Sequence, residues 1–329
     1  METLSEILPD LFRIELPLPG NPLKSVNSWV VRSGERTLVI DTGMRRPECE
    51  VALRTGLDEL GVAPESTDVF VTHIHADHMG LVGEIASATS RVYFNRPDAE
   101  LIAAMGRDPE GWMRDLVADA RRGGFPEEEI REDLDRHPGF RFSPPAYPSF
   151  TFLEDGDELR CGRCRLRAVA TPGHTPGHTC LYDEQRRILF SGDHVLRDIT
   201  PNITLWGDED SLGDYLASLT RVAELDVDLV LPGHRTPFPD LSARVGELRR
   251  HHQERLAEVT AILGEGPCTA YDVASRMSWD IVADTWDAFP VVQKWFAVGE
   301  AGSHLRYLEL RERINARECD GLVIFELAP

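Results

Sequence analysis

The sequence predicts an α+β fold: a four-layer αββα sandwich followed by a small, mainly helical C-terminal domain. Two observations carry this expectation. Short apolar runs of strand length fall into two groups with helical stretches around them, so two sheets with helices outside account for residues 1–240. After Asp240 the pattern changes to long helical segments closed by a hairpin, which sets residues 241–329 apart as a second domain. At 329 residues and 42% hydrophobic, the chain can bury one large core and one small one.

In chain order, apolar runs bounded by turn residues predict strands at Leu11–Leu16, Ser28–Arg32 and Thr37–Asp41. A helical stretch at Pro47–Leu60 follows, then the strand Asp68–Val71, a helix after Gly80 and a strand at Arg91–Asn95. The second strand-rich half comprises Thr151–Leu153, Arg165–Ala170, Thr179–Asp183, Arg187–Phe190 and Asp228–Leu231. Arg235-Thr236-Pro237-Phe238-Pro239 reads as a linker. Beyond it come a helix from Leu241 to about Leu263, another at Thr269–Met277, a variable Trp279–Phe289 segment, a helix through Leu305–Ile314 and a hairpin at Cys319–Leu327.

Between Arg96 and Pro148 a helical insertion interrupts the sandwich. Its helices are expected at Asp98–Met105, Pro109–Arg122 and Pro126–Arg136, and the proline-rich Ser143–Pro148 closes it. It is longer than a simple connection requires. Met105, Trp112, Met113, Leu116, Phe125 and Ile130 give it an apolar face, expected to cover a substrate cleft and able equally to bury a partner in a homodimer. Trp286, Trp295 and Phe296 in the C-terminal domain are expected to face either the core or the mouth of the site.

The chemistry-bearing residues sit where apolar runs end. Thr72-His73-Ile74-His75-Ala76-Asp77-His78 follows one run, and packing gives no reason for three imidazoles and a carboxylate so close together. The period-two spacing of His73 and His75 can aim both at one ion, with Asp77 and His78 turned toward a neighbouring position. Thr171-Pro172-Gly173-His174-Thr175-Pro176-Gly177-His178, Ser191-Gly192-Asp193-His194 and Pro232-Gly233-His234 repeat the arrangement downstream. Imidazole and carboxylate donors without thiolate suit zinc, and iron or manganese as well.

This ordered set resembles the metallo-β-lactamase superfamily over roughly the first 240 residues. The resemblance implies a dinuclear metal-dependent hydrolase. His73, His75 and His174 would hold the first ion, and Asp77, His78 and His234 the second. Asp193 would bridge the two ions. Two zinc ions per chain are expected, with a hydroxide between them as nucleophile and Asp77 or a metal-bound water protonating the leaving group. His178 and His194 would orient ligands or their loops, and Asp41 would accept a hydrogen bond near the metal loop. The C-terminal helices and hairpin resemble the winged-helix-like domain of the LACTB-two-like branch.

Composition narrows the function. A net charge of −21 repels polyanions at long range, and the C-terminal stretch is itself net acidic, so a nucleic-acid partner is disfavoured. The N-terminus carries no basic and apolar signal pattern, no stretch approaches a membrane span, and Cys49, Cys161, Cys164, Cys180, Cys268 and Cys319 are scattered; a cytoplasmic location is expected. Cys161-x-x-Cys164 lacks a second ligand pair and reads as a short hairpin carrying two thiols. The expected substrate is a small molecule with an activated acyl group: a thioester, ester or lactone. Glyoxalase II resembles the chain through its metal ligands, but has Glu-Tyr where this sequence has Arg235-Thr236 after the last metal histidine. The alternatives are a LACTB-two-like endoribonuclease, favoured by the tail and opposed by the charge, and a mononuclear-iron persulfide dioxygenase, opposed by the complete second set Asp77, His78 and His234.

Overall fold

Alternation of apolar residues builds the first sheet. In the computed structural model, which describes residues 3–280, 283 and 285–329, seven strands lie in sequential order. They are Leu4–Leu8 (β1), Leu11–Pro17 (β2), Ser25–Ser33 (β3), Arg36–Ile40 (β4), Thr67–Phe70 (β5), Val92–Phe94 (β6) and Phe150–Phe152 (β7). β1 to β4 pair antiparallel, and β4 to β7 pair parallel. Parallel neighbours need crossovers. Pro47–Glu59 (α1) supplies one, the short Ala76–Met79 (α2) and Val82–Ile85 (α3) the next. The insertion supplies the third as Arg96–Arg107 (α4), Pro109–Arg122 (α5), Glu127–Arg136 (α6) and Pro138–Phe142 (α7).

The second sheet has five strands that lie side by side in reverse chain order. Its strands are Glu158–Cys161 (β8), Cys164–Ala170 (β9), Thr179–Asp183 (β10), Ile188–Gly192 (β11) and Leu229–Pro232 (β12), with Ser211–Ala223 (α8) crossing between the parallel β11 and β12. Neighbouring residues of one strand serve different layers. Leu38, Ile40, Phe70, Leu181 and Phe190 fill the space between the sheets. Val39, Val69 and Val71 face the helices outside the first sheet, and Cys180, Tyr182 and Leu189 those outside the second. That period-two division is what makes four layers from two sheets. Cys161 pairs with Cys164 across the turn between β8 and β9, so the two thiols do sit on one short hairpin.

The C-terminal residues form Leu241–Gly264 (α9), Ala270–Arg276 (α10), Val291–Glu309 (α11) and an antiparallel hairpin of Ile314–Cys319 (β13) and Leu322–Leu327 (β14). Part of the variable Trp279–Phe289 segment lies outside the described residues. The helix expected to run through Leu305–Ile314 instead begins at Val291 and ends at Glu309, and Ile314 opens the hairpin. The residues read as a linker are tightly held: Phe238 is buried and exchanges backbone hydrogen bonds of 2.8 and 3.1 Å with Val230. Leu248, Val259, Ala301 and Leu305 share one buried cluster with Val169, Leu189 and Val230, so the C-terminal helices cover the outer face of the second sheet. Phe125 and Ile130 of the insertion join that cluster, and Trp286 and Trp295 pack against it. Among the described residues no helix is long and apolar enough to cross a membrane.

Candidate metal centre

The loops that leave β4, β5, β9, β11 and β12 meet at one edge of the sandwich, and each carries a residue singled out by the sequence. Beyond β5, Thr72 donates its N–H and its hydroxyl to the Asp41 carboxylate at 2.8 and 2.9 Å. This anchors the start of the loop. His73 Nε2 lies 3.1 Å from His75 Nδ1, and both face His174, the three offering donor atoms within 4.8 Å of one another. α2 begins immediately after, turning Asp77 and His78 to the neighbouring position where they meet His234 in a second such group. Asp193 lies between the groups: its oxygens are 3.8 Å from His174 Nε2, 3.4 Å from His78 Nε2 and 3.3 Å from His234 Nε2. The seven predicted ligands are thus brought together, and all but His75 and Asp77 are buried.

In three of the imidazoles the ring nitrogen that points away from the centre has a partner. His78 Nδ1 pairs with Asp41 Oδ2 at 2.7 Å, His174 Nδ1 with the Asn202 carbonyl at 2.7 Å and His234 Nδ1 with the Ser25 carbonyl at 2.6 Å. Those bonds leave each Nε2 as the inward donor. His78 Nε2, His174 Nε2, His234 Nε2 and Asp193 Oδ1 are buried without hydrogen-bond partners. Buried polar atoms are normally satisfied, and orphaned donors gathered around Asp193 in two adjoining groups are what bound cations would satisfy.

Electrostatics agree with that fit. Burial pushes His73 well below its ordinary pKa, with repulsion from His78 and His75 adding to it, and takes His75 down to about 3. Burial would lower His234 too, but Asp193 and Asp77 outweigh it and raise the imidazole to about 10. His78 is raised in the same way by Asp193, Asp41 and Asp77. The carboxylates therefore demand positive charge at this spot. A divalent ion can supply it where the histidine protons otherwise do.

His178, in the same loop as His174, turns to other work. Its Nδ1 bonds the Thr171 hydroxyl at 2.8 Å, and its Nε2 accepts the Asp193 N–H at 3.1 Å. His194, expected to orient a ligand or loop in the same way, makes no such bond. Both its ring nitrogens lack partners, and the ring packs edge-on against Tyr215 behind the site. Gly233 is required by close approach, because a Cβ there would collide with Asp193 and His78.

Several supporting residues are not marked by any motif. Asp98, buried at the start of α4, accepts the Ile74 N–H at 2.9 Å, the Gly177 N–H at 2.7 Å and the Thr175 hydroxyl at 2.8 Å. It ties the His73–His75 segment to the His174 loop. Burial raises its pKa to about 6 against the pull of those donors. Asn27 and Trp29 on β3 donate to the Pro232 carbonyl and fix the approach to His234. Trp206 stacks on His75 at 6.3 Å and donates to the His174 carbonyl at 3.1 Å. The one available signal is the Asn95-x-x-Asp98 spacing, in which the Asn95 side chain caps α4, and that reads only as a helix start.

Residues 21–234 match the family model described as the metallo-beta-lactamase superfamily. The chain belongs to this superfamily. A solved metallo-beta-lactamase family protein from Thermus thermophilus, TTHA1429, is 30% identical and covers 98% of the chain and 100% of its own, with a TM-score of 0.83. A beta-lactamase domain protein from Burkholderia ambifaria is 27% identical over 99% of the chain and 94% of its own, with a TM-score of 0.84. Both likenesses therefore extend through the C-terminal helices and hairpin. Among curated relatives, the acyl-coenzyme A thioesterase MBLAC2 of Homo sapiens is 31% identical over 226 residues, 64% of the chain and 74% of that protein. The lactamase-like protein adaB of Aspergillus niger is 29% identical over 254 residues, 75% of the chain. The match spans about three-fifths of the length of that relative, 62%. The chain accordingly carries the superfamily's domain over residues 21–234, with histidine and aspartate groups able to bind metal.

Proposed function

We propose that the chain is a dinuclear, zinc-dependent hydrolase of small acyl thioesters, acting in the cytoplasm, with Asp193 shared between the two metal positions. The observation that carries the metal reading is the convergence of four partnerless buried donor atoms between two histidine groups. The acyl class is supported by the likeness to a protein named as an acyl-coenzyme A thioesterase. When bound, two divalent ions supply Lewis acidity that makes water nucleophilic near neutral pH and stabilises an oxyanion.

The side chains supply the rest. Asp41, the Asn202 carbonyl and the Ser25 carbonyl each hold one imidazole with its Nε2 inward, so the donors are oriented before an ion arrives. Asp77, at 15% side-chain exposure, is the more solvent-exposed of the two inner carboxylates, and its Oδ2 sits 3.3 Å from His234 Nε2. In this reading it would take up the proton that the attacking water releases and pass it to the departing sulfur at the solvent edge. The six free cysteines fit a reducing compartment. Against the nuclease alternative stands the net charge of −21, since phosphate-backbone affinity comes mainly from dense lysine and arginine.

The test is hydrolysis of a panel of thioesters, esters and lactones by zinc-loaded protein, before and after chelation. Chelator-sensitive turnover of thioesters is expected. Loss of that turnover in His73→Ala ties it to the centre, whereas thioester hydrolysis indifferent to both chelator and substitution would sink the reading.

A further inference from the structure

The segment Asn202–Trp206 touches the first metal position twice, through the Asn202 carbonyl on His174 Nδ1 and through Trp206 on His75 and the His174 carbonyl. What holds this segment in place is α11, the long helix of the C-terminal domain. Asn202 Nδ2 donates to the Phe296 carbonyl and to Glu300 Oε2, both at 3.1 Å. Leu205 N–H donates to the Gly299 carbonyl at 3.1 Å, and the Ser303 hydroxyl donates to the Ile203 carbonyl at 2.5 Å. A Cβ on Gly299 would collide with Thr204. Positions 296, 299, 300 and 303 form one stripe of a helix, so a whole face of α11 is given to this segment.

Glu300 is the unusual member. It is 7% exposed, and among the described residues its one cationic partner is Arg255, whose Nε is 3.9 Å away. Burying an ionisable carboxyl with one distant partner is costly, and an apolar residue would pack as well. What an apolar residue cannot do is accept the Asn202 amide. With Nδ2 held on α11, the Asn202 backbone carbonyl is fixed toward His174 Nδ1, and the imidazole keeps its Nε2 toward Asp193 and the first metal position.

We infer that Glu300 is a positioning residue for the metal centre: from the C-terminal domain, through Asn202, it orients His174. The inference rests on the proposed reading of His174 as a ligand. It gives the C-terminal domain a part in metal affinity that requires no contact with substrate or nucleic acid.

The test is competition for zinc between metal-free protein and a chromophoric chelator, which resolves the affinity of each site without any acyl substrate. If the native chain binds no zinc, the proposed function fails and not merely this extension of it. Given native binding, Glu300→Ala is expected to weaken one of the two sites by about tenfold or more, as loss of a ligand's supporting bond does elsewhere. Glu300→Gln, which keeps an acceptor for Asn202, is expected to restore most of that loss. Should Glu300→Ala fail to fold, Asn202→Ala carries the test with the same expected direction. Native zinc affinity at both sites, accompanied only by a lower unfolding temperature of the metal-free variant, would overturn the inference and leave Glu300 a packing residue.

Discussion

His174 and His178 lie four residues apart in one loop, and their hydrogen bonds separate their roles. His174 Nε2 faces the centre without a partner, whereas both nitrogens of His178 are engaged, one with Thr171 and one with the Asp193 N–H. His174→Ala should therefore abolish tight binding at one metal position. His178→Ala should lower affinity and activity by about ten- to a hundredfold, because it only loosens the backbone of Asp193. Metal content after dialysis, measured for both variants, checks the ranking; His178→Ala stripped of metal beside a fully loaded His174→Ala would reverse the two roles. The inner donors were legible because motif spacing marks them. Asp98 and Asn202 were not, because their partners stand far away in sequence: Asp98 meets Gly177 and Asn202 meets Glu300 only once the loops have folded. His194 also sits next to a predicted ligand in sequence, yet its ring packs edge-on against Tyr215, a contact no local spacing marks.

At the scale of elements, the insertion is held from two sides. Phe125 and Ile130 are buried in the core shared with the C-terminal helices, and Lys294 on α11 bonds Glu129 on α6 at 2.5 Å. Arg45 donates to the Ser143 carbonyl at 2.9 Å, linking the end of the insertion to the loop after β4. Trp112, which packs edge-on against Phe140, is free of the shared core. Trp112→Ala is accordingly expected to reduce kcat/KM for bulky acyl groups more than for a small nitrophenyl acetate. Equal loss on both, with a fall in thermal stability, would mean that the insertion acts by packing alone.

Two groups packed near α11, Glu300 and the half-buried His137, give stability opposing pH dependences. Burial raises Glu300 from 4.5 to about 7, so the stability from its neutral form is fully present below about 4.5 and is lost as pH rises through about 7. Burial lowers His137 from 6.5 to about 4, so its contribution is present above about 6.5 and is lost as pH falls through about 4. Each shift corresponds to roughly 3 kcal/mol at most. Between pH 5 and 7, Glu300→Gln should make the unfolding free energy of the metal-free protein rise more steeply with pH, and His137→Phe should make it rise less steeply; unchanged slopes in urea titrations would contradict both assignments.

Why the sequence misplaced α11 follows from the same burial. Lys294, Glu300, Ser303 and His304 are buried along with Ala297, Val298, Ala301 and Leu305, so polar and apolar residues share the inward faces and no amphipathic stripe marks where the helix begins. α9 has better punctuation, with Asp240 capping its first turn, and its bounds were readable. β8 went unread because it is four residues long and exposes every second one.

For the molecule as a whole, the αββα order was readable because strand periodicity and the positions of the histidine loops are local features that recur along the chain. The way the C-terminal helices join the sandwich was not readable, since it depends on one continuous buried cluster running from Ala120 to Ile314. The net charge of −21 surrounds a centre that itself calls for positive charge, and it opposes the long-range attraction of a nucleic-acid backbone. The most direct test of the central claim is a titration of zinc into metal-free protein with thioester hydrolysis followed at each addition. A dinuclear centre bridged by Asp193 predicts that activity keeps rising to two equivalents per chain and falls away at acid pH as the histidines take up protons. Full activity at a single equivalent, or two tightly bound zinc ions with no thioester turnover, would contradict it.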